Sequence, residues 1–350
     1  MPERLADHTT LHLGGPADEY VVATTEAELT AAVSAADAAG RSVLVLGGGS
    51  NLVVADEGFG GIVIEVATTG VESDLSDPGE PSCGGVLVTA AAGETWDDLV
   101  ARAVEAEWSG IEALSGIPGR VGAAPIQNVG AYGQEVSQTI WQVRVWDRKL
   151  RGVRTFANAD CRFGYRHSRF KAEPGRHVVL SVTFQLRRGD LGAPIAYAQL
   201  AAALGVEPGV RVAARDVREA VLALRRSKGM VIDSKSADDH DTWSAGSFFT
   251  NPVVEAGRVP DGAPAYPQPD GTMKTSAAWL IERAGFGRGY GAETYEGRVS
   301  LSTKHTLALT NRGRGTTADL LALAREVRGG VRERFGIELV NEPVLVGVSL

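Results

Sequence analysis

Four groups of residues in this chain have the types and spacing for chemistry. Ser247 stands in Ala245-Gly-Ser-Phe-Phe-Thr-Asn-Pro252, a turn with two apolar neighbours. The pattern is not the Gly-x-Ser-x-Gly elbow of serine hydrolases, and no His–Asp pair can be assigned to it. A serine beside glycine commonly caps a turn. A free hydroxyl is also a poor acid, so a catalytic Ser247 needs a strongly basic partner such as a carbanion. Tyr165-Arg166 lies in Phe163-Gly-Tyr-Arg-His-Ser168. The arginine is either stacked on its neighbour at the surface or placed to grip an anion. Arg226, Lys228, Lys274 and Arg288 are cations in a chain of formal net charge −8. They suit a phosphate or a carboxylate, or are merely solvated. Glu342, just before Pro343, reads as a surface charge or as an acid near a site.

Two glycine-rich loops could supply a binding surface. Residues 115–133 interleave Gly116, Gly119, Gly122, Gly130 and Gly133 with Pro118, Pro125 and small alanines. Such a stretch has little periodic claim to be helix or strand. It describes a stiff loop that bares backbone N–H and C=O groups, as a phosphate or heterocyclic cofactor requires. Gln127 and Asn128 add amides that can direct hydrogen bonds inside such a pocket. The second loop, Gly47-Gly-Gly-Ser-Asn51, follows an apolar run, as a phosphate loop does. It matches neither Gly-x-Gly-x-x-Gly nor the P-loop. Both loops also read as plain connectors.

The elements that must position these residues alternate along the chain. Tyr20-Val-Val-Ala is a strand, Thr25-Glu-Ala-Glu a capping box, and Gly40 a helix stop. Strands are expected at 42–46, 52–54 and 61–65, and residues 71–85 read as an acidic surface loop. A strand at 86–92 precedes an amphipathic helix capped by Thr95. Strands follow at 142–147 and 178–186, then a helix at 215–226. Past residue 227 the expectation is a polar stretch to 242, a helix at 275–285, a strand at 307–311, a helix at 317–335 and terminal strand structure at 337–347.

Composition narrows the field. At 44% hydrophobic and 22% charged the chain has the make-up of a soluble protein of two or three domains. Its acidity argues against a nucleic-acid partner. It holds no apolar run near the length of a membrane span, and its first residues lack a basic-then-apolar leader. Cys83 and Cys161 have neither disulfide-framework nor zinc-site spacing. A cytoplasmic protein with no metal and no membrane contact is expected.

Nearly the whole chain resembles the UDP-N-acetylenolpyruvoylglucosamine reductases, the MurB family. Eight marks carry the resemblance, in family order. They are Thr9-Thr-Leu-His-Leu-Gly-Gly-Pro-Ala17, Leu46-Gly-Gly-Gly-Ser-Asn-Leu52, Gly122-Ala-Ala-Pro-Ile-Gln-Asn-Val-Gly-Ala-Tyr-Gly133 and Cys161-Arg-Phe-Gly-Tyr-Arg-His-Ser168. Then come Ala245-Gly-Ser-Phe-Phe-Thr-Asn-Pro252, Tyr266-Pro-Gln-Pro-Asp-Gly271, Ala277-Ala-Trp-Leu-Ile-Glu282 and Asn341-Glu-Pro343.

The resemblance implies an α+β chain: a two-subdomain FAD-binding fold of the vanillyl-alcohol-oxidase/PCMH type, then a C-terminal α+β substrate-binding domain. The implied boundaries are 1–68, 69–226 and 227–350, with the last strand returning to the FAD domain. It implies non-covalent FAD, NADPH as hydride donor, and UDP-N-acetylglucosamine enolpyruvate as the substrate reduced to UDP-N-acetylmuramate by a monomer in peptidoglycan synthesis. No histidine falls in either glycine-rich loop, which suits an untethered flavin. The cofactor residues it implies are Gly47, Gly48, Gly49, Ser50 and Asn51 in one loop. In the other they are Ser115, Gly116, Ile117, Pro118, Gly119, Gly122, Ala123, Gln127, Asn128, Gly130, Ala131 and Tyr132. A side chain at Gly48 or Gly122 is expected to occupy the cofactor's space. Arg166 is implied to neutralise the substrate carboxylate, Glu342 to stabilise the enol, and Ser247 to protonate the adjacent carbon. The implied substrate contacts are Tyr165, Tyr197, Arg226, Lys228, Asn251, Tyr266, Lys274, Arg288 and His305. Tyr197 sits in Ala193-Pro-Ile-Ala-Tyr-Ala-Gln-Leu200, which resembles the tyrosine loop of the longer subgroup and is expected to close over the UDP.

Overall fold

A computed structural model describes residues 2–74, 85–232 and 238–350. The chain forms two compact units. One comprises Met1–Ala17, Gly49–Phe59 and Ser227–Leu350; the other comprises Asp18–Gly48 and Gly60–Arg226.

The second unit is built on two sheets. In the smaller, Phe59–Val66 lies between Ala17–Ala23 and Val43–Leu46, and pairs with Val43–Leu46 in parallel. The helix Glu26–Ala38 between them starts at a full capping box of Thr25 and Glu28, as its sequence predicts. The larger sheet is antiparallel, in the order Gly152–Ala157, Ile140–Asp147, His177–Arg188, Gly85–Ala91, Val71–Asp74. Alternating Val86, Val88 and Ala90 on one strand and Val182, Phe184 and Leu186 on the next turn inward against the helix Trp96–Glu105. A smaller apolar cluster joins the helix Ala214–Ser227 to Ile195 and Leu200.

The first unit has shorter strands around one long helix, Thr317–Phe335. Its apolar positions Leu320, Ala324, Val327 and Val331 recur at helical spacing and are buried with Phe248, Phe249, Leu280 and Leu309. Val253–Val254, Met273–Thr275 and Ala265–Pro267 form a three-stranded sheet. Val344–Val346 pairs in parallel with Leu52–Val54.

Several expectations are corrected. Residues 71–74 are an edge strand rather than loop, because Val71 and Ser73 register with Ala90 and Val88; residues 75–84, with Cys83, lie outside the described residues. Thr95 precedes its helix but makes no capping bond, since its hydroxyl oxygen accepts from Arg120 Nη1 at 3.2 Å. Only Val344–Val346 of the terminal stretch is strand. The polar run after 227 includes 233–237, which also lie outside the described residues. Cys161 is buried among apolar side chains, which pushes its thiol up to about 12.

Candidate active site

Within the second unit, Gly48 of one glycine-rich loop meets Gly119 of the other. A Cβ on Gly48 would come 2.7 Å from the Cα of Gly119, and one on Gly122 would come 2.6 Å from the Cβ of Ala92. Both glycines are therefore required by the protein's own backbone packing, which corrects the expectation that a side chain there would chiefly invade cofactor space. The N–H groups of Gly47, Gly48 and Gly49 find no acceptor among the described residues. Three successive bare N–H groups beside a glycine turn suit an anion such as a pyrophosphate. The donor set thus fits a dinucleotide cofactor.

The longer loop is pinned from all sides. Asp97 accepts from Gly116 N at 2.6 Å and from Arg218 Nη1 at 2.6 Å. Burial raises the Asp97 carboxyl, but the Arg218 and Gly116 hydrogen bonds outweigh it and the pKa lies below the ordinary value. Arg225, buried on the inner face of its helix, donates from Nε to Gly116 O at 3.1 Å. Burial lowers its pKa. Trp96 donates from Nε1 to Leu114 O at 2.9 Å. Asn128 is spent inside the protein: Nδ2 donates to Glu135 Oε2 at 2.8 Å and Gly164 O at 3.0 Å, and Oδ1 accepts from Ser137 N at 3.1 Å. Ser115, fully buried, donates to Glu112 O at 2.6 Å. The side chains of Ser115 and Asn128 hold the loop's shape.

Arg166 occupies the corner of a tight turn closed by two hydrogen bonds between Gly164 and His167. Its φ is 50°, a left-handed conformation that costs a non-glycine residue energy and is kept where the surroundings enforce it. Its guanidinium lies 5.4 Å from the Tyr165 ring centroid and donates from Nη2 to Gly130 O at 2.7 Å. Sequence reasoning did not foresee this hold on the glycine-rich loop.

Within the first unit, Ser247 and Glu342 sit on neighbouring, hydrogen-bonded segments. Phe248 O, one residue after Ser247, accepts from Glu342 N at 2.8 Å, and Phe249 bridges to Asn341. The turn is fixed by main chain: Phe248 N donates to Leu307 O at 2.7 Å. The capping hydroxyl is that of Ser244, which accepts from Gly246 N at 3.2 Å. The Ser247 hydroxyl is half-buried and caps nothing among the described residues.

Two models of protein families match this chain. One described as "FAD binding domain" covers residues 17–151, and one described as "UDP-N-acetylenolpyruvoylglucosamine reductase, C-terminal domain" covers 238–346. A UDP-N-acetylenolpyruvoylglucosamine reductase of Cutibacterium acnes is 56% identical over 99% of this chain and 90% of its own length. That of Thermobifida fusca is 57% identical over 99% and 97%. The chain belongs to the UDP-N-acetylenolpyruvoylglucosamine reductase family. A crystal structure of the reductase from Thermus caldophilus superposes with a TM-score of 0.65 at 25% identity, over 99% of this chain and 98% of that one.

The residues expected to touch substrate in this reductase family fall into groups. Tyr266 and Lys274 are in register on adjacent strands, so they share one face, and Lys274 also faces Val253. Asn251, two residues before Val253, accepts at Oδ1 from Ala277 N at 3.0 Å. His305 lies in a turn whose N–H groups are gathered by Ser302 Oγ; Ser302 O accepts from Gly289 N, so the Arg288 segment joins it. In the other unit Tyr197 is the first residue before a short helix, Ala198–Leu204, with its ring edge-on to Tyr132 at 5.6 Å. Arg226 and Lys228 close the helix Ala214–Ser227 and follow it, with Arg226 exposed. Sequence reasoning missed Asp97, Glu112 and Arg225. Arg225 had a signal: it falls at the apolar spacing of Val217 and Val221, so it faces inward.

Proposed function

We infer that this chain is an FAD-dependent oxidoreductase that uses NADPH to reduce the enolpyruvyl ether of UDP-N-acetylglucosamine enolpyruvate to UDP-N-acetylmuramate. Full-length identity above one half to reductases of that name carries the reading. FAD, when bound, relays hydride from NADPH to the terminal enolpyruvyl carbon.

The chain's own residues do the rest. The backbone N–H groups of 47–49 would hold the pyrophosphate, and the pinned loop 115–133 would shape the ring's bed. Arg166 neutralises the substrate carboxylate as negative charge grows on it. Glu342 stabilises the enol. Ser247 gives its hydroxyl proton to the adjacent carbon; a carbanion is basic enough to take it, which a neutral acceptor is not. A hydroxyl that caps nothing in its own turn supports that role. Tyr197, Lys228, Asn251, Tyr266 and Lys274 hold the UDP-sugar, with Tyr165, Arg226, Arg288 and His305 contributing. The flavin fold is of the vanillyl-alcohol-oxidase/PCMH type, with subdomains 1–68 and 69–226 and a substrate domain from 227, and the enzyme acts as a cytoplasmic monomer.

The test is anaerobic. Yellow protein mixed with NADPH should bleach, and the enolpyruvyl substrate should restore the colour in stoichiometric amount, with a product heavier by two hydrogens. Bleaching without recovery would assign the chain a different acceptor.

A further inference from the structure

Glu112 takes no part in the roles above, yet it is among the most deeply buried charged residues, at 1% exposure. Among the described residues no cation pairs with it. A carboxylate in that setting is costly unless hydrogen bonds replace its water. Three do. Oε2 accepts from Gly110 N at 2.6 Å; Oε1 accepts from Gln134 Nε2 at 2.8 Å and from Ala193 N at 2.6 Å.

The donors lie on three segments that matter. Glu112 opens the one-turn helix Glu112–Leu114, directly before the glycine-rich loop. Gln134 directly follows that loop, and its Oε1 accepts from Ala113 N at 2.8 Å. Glu112, Gln134 and Ala113 thus close a clasp across the two ends of residues 115–133. Ala193 is the foot of the segment that carries Tyr197. The approach leaves no room for a side chain unless Glu112 shifts: a Cβ on Gly192 would come 2.9 Å from Glu112 Oε1. Further along, a Cβ on Gly133 would come 3.0 Å from that of Ala196, and Tyr197 meets Tyr132.

We propose that Glu112 is a positioning residue whose single buried carboxylate sets the glycine-rich loop and the Tyr197 segment against each other. It acts through them and touches neither cofactor nor substrate. The functional half of the claim rests on the reading of Tyr197 as a substrate contact; the structural half does not.

The experiment uses the holoenzyme and two variants. In Glu112→Gln the new NH2 faces an N–H donor whichever way the amide turns, because both carboxylate oxygens accept. Gly192→Ala keeps the Glu112 side chain but crowds its carboxylate and parts it from Ala193, which keeps the test alive where the first variant folds poorly. Hydrogen exchange should quicken across residues 193–200 in both, with the strand Gly85–Ala91 unchanged. The KM for the UDP substrate should rise roughly tenfold, the size of one buried hydrogen bond, while flavin reduction by NADPH keeps its rate. In a Tyr197→Phe background the same change should add less than about twofold, since coupled residues are not additive. Unchanged exchange across 193–200 in both variants would overturn the proposal. Quickened exchange with no KM effect from Tyr197→Phe alone would keep the clasp and remove Tyr197 from the substrate.

Discussion

The glycine-rich loop 115–133 and the turn 244–251 are both irregular stretches, yet their centres are held by different means. The loop is gripped by side chains: Asp97, Arg225, Arg166 and Trp96 bond its backbone or its ends, and its own Asn128 ties it to Gly164. Around its serine the turn is gripped by main chain, through Leu307 and Glu342, with the side chains of Thr10, Ser244 and Asn251 bonding only toward its ends, and its serine hydroxyl caps nothing among the described residues. A surface that must fit a rigid ring gains from being unable to relax. A group that must hand over a proton gains from having no competing bond. On the proposed function, the difference separates a residue type fixed for shape from one kept for reaction.

That contrast can be broken experimentally, beginning with the harshest change. Gly122→Val should yield little soluble protein, because its side chain meets Ala92 and overpacking in a close-packed site costs about 1–3 kcal/mol or more; expression and thermal melting check this. Ser247→Ala should fold and keep its flavin. Stopped-flow reduction by NADPH should run near the wild-type rate, while reoxidation by substrate slows roughly 10²–10⁴-fold, the loss expected for a positioned acid. Reoxidation within a few-fold of wild type would return Ser247 to a structural role.

Arg166→Ala should lower kcat/KM about a hundredfold. It should also weaken flavin retention, since Gly130 O loses its donor; a gel-filtration colour ratio reads the second effect. Asp97→Asn tests the loop's acid limb. Its carboxyl lies below the ordinary value in the folded protein, so its contribution is complete above the unfolded pKa and is lost as pH falls through the folded one. Wild-type protein should lose stability in that acidic window, and the variant should show less pH dependence there. Gly47→Ala should be nearly silent. Its Cβ would meet Arg120 and Ala123 no closer than 3.6 Å, so the melting temperature of the flavin-free protein should stay at the wild-type value.

Much of this was legible in the residues. Thr25 and Glu28 announced a capped helix, and Thr317–Phe335 followed from its periodic leucines and valines. The glycine loops were visible because little else explains so many small residues together. The bonds that hold them were not. Asp97 to Gly116 spans 19 positions and Arg225 to Gly116 spans 109, and no local pattern encodes a partner at that distance. Nothing in the sequence singles out Glu112, since two of its donors are backbone N–H groups that every sequence carries and the third, on Gln134, lies 22 positions away. Thr95 misled for the converse reason: its local context suits a cap, but Arg120 takes its oxygen.

The parallel pairing of Leu52–Val54 with Val344–Val346 has a consequence in time. On the ribosome the early strand must wait for almost the entire remaining chain. At about 5–20 residues per second that is on the order of 15–60 s. Through that interval Val53, fully buried in the finished protein, has no strand partner to cover it. Asp18–Gly48 with Gly60–Arg226 can assemble meanwhile, because its partners have already emerged. Loss of the last few residues would therefore leave the backbone edge of Leu52–Val54 without its strand partner for the life of the molecule.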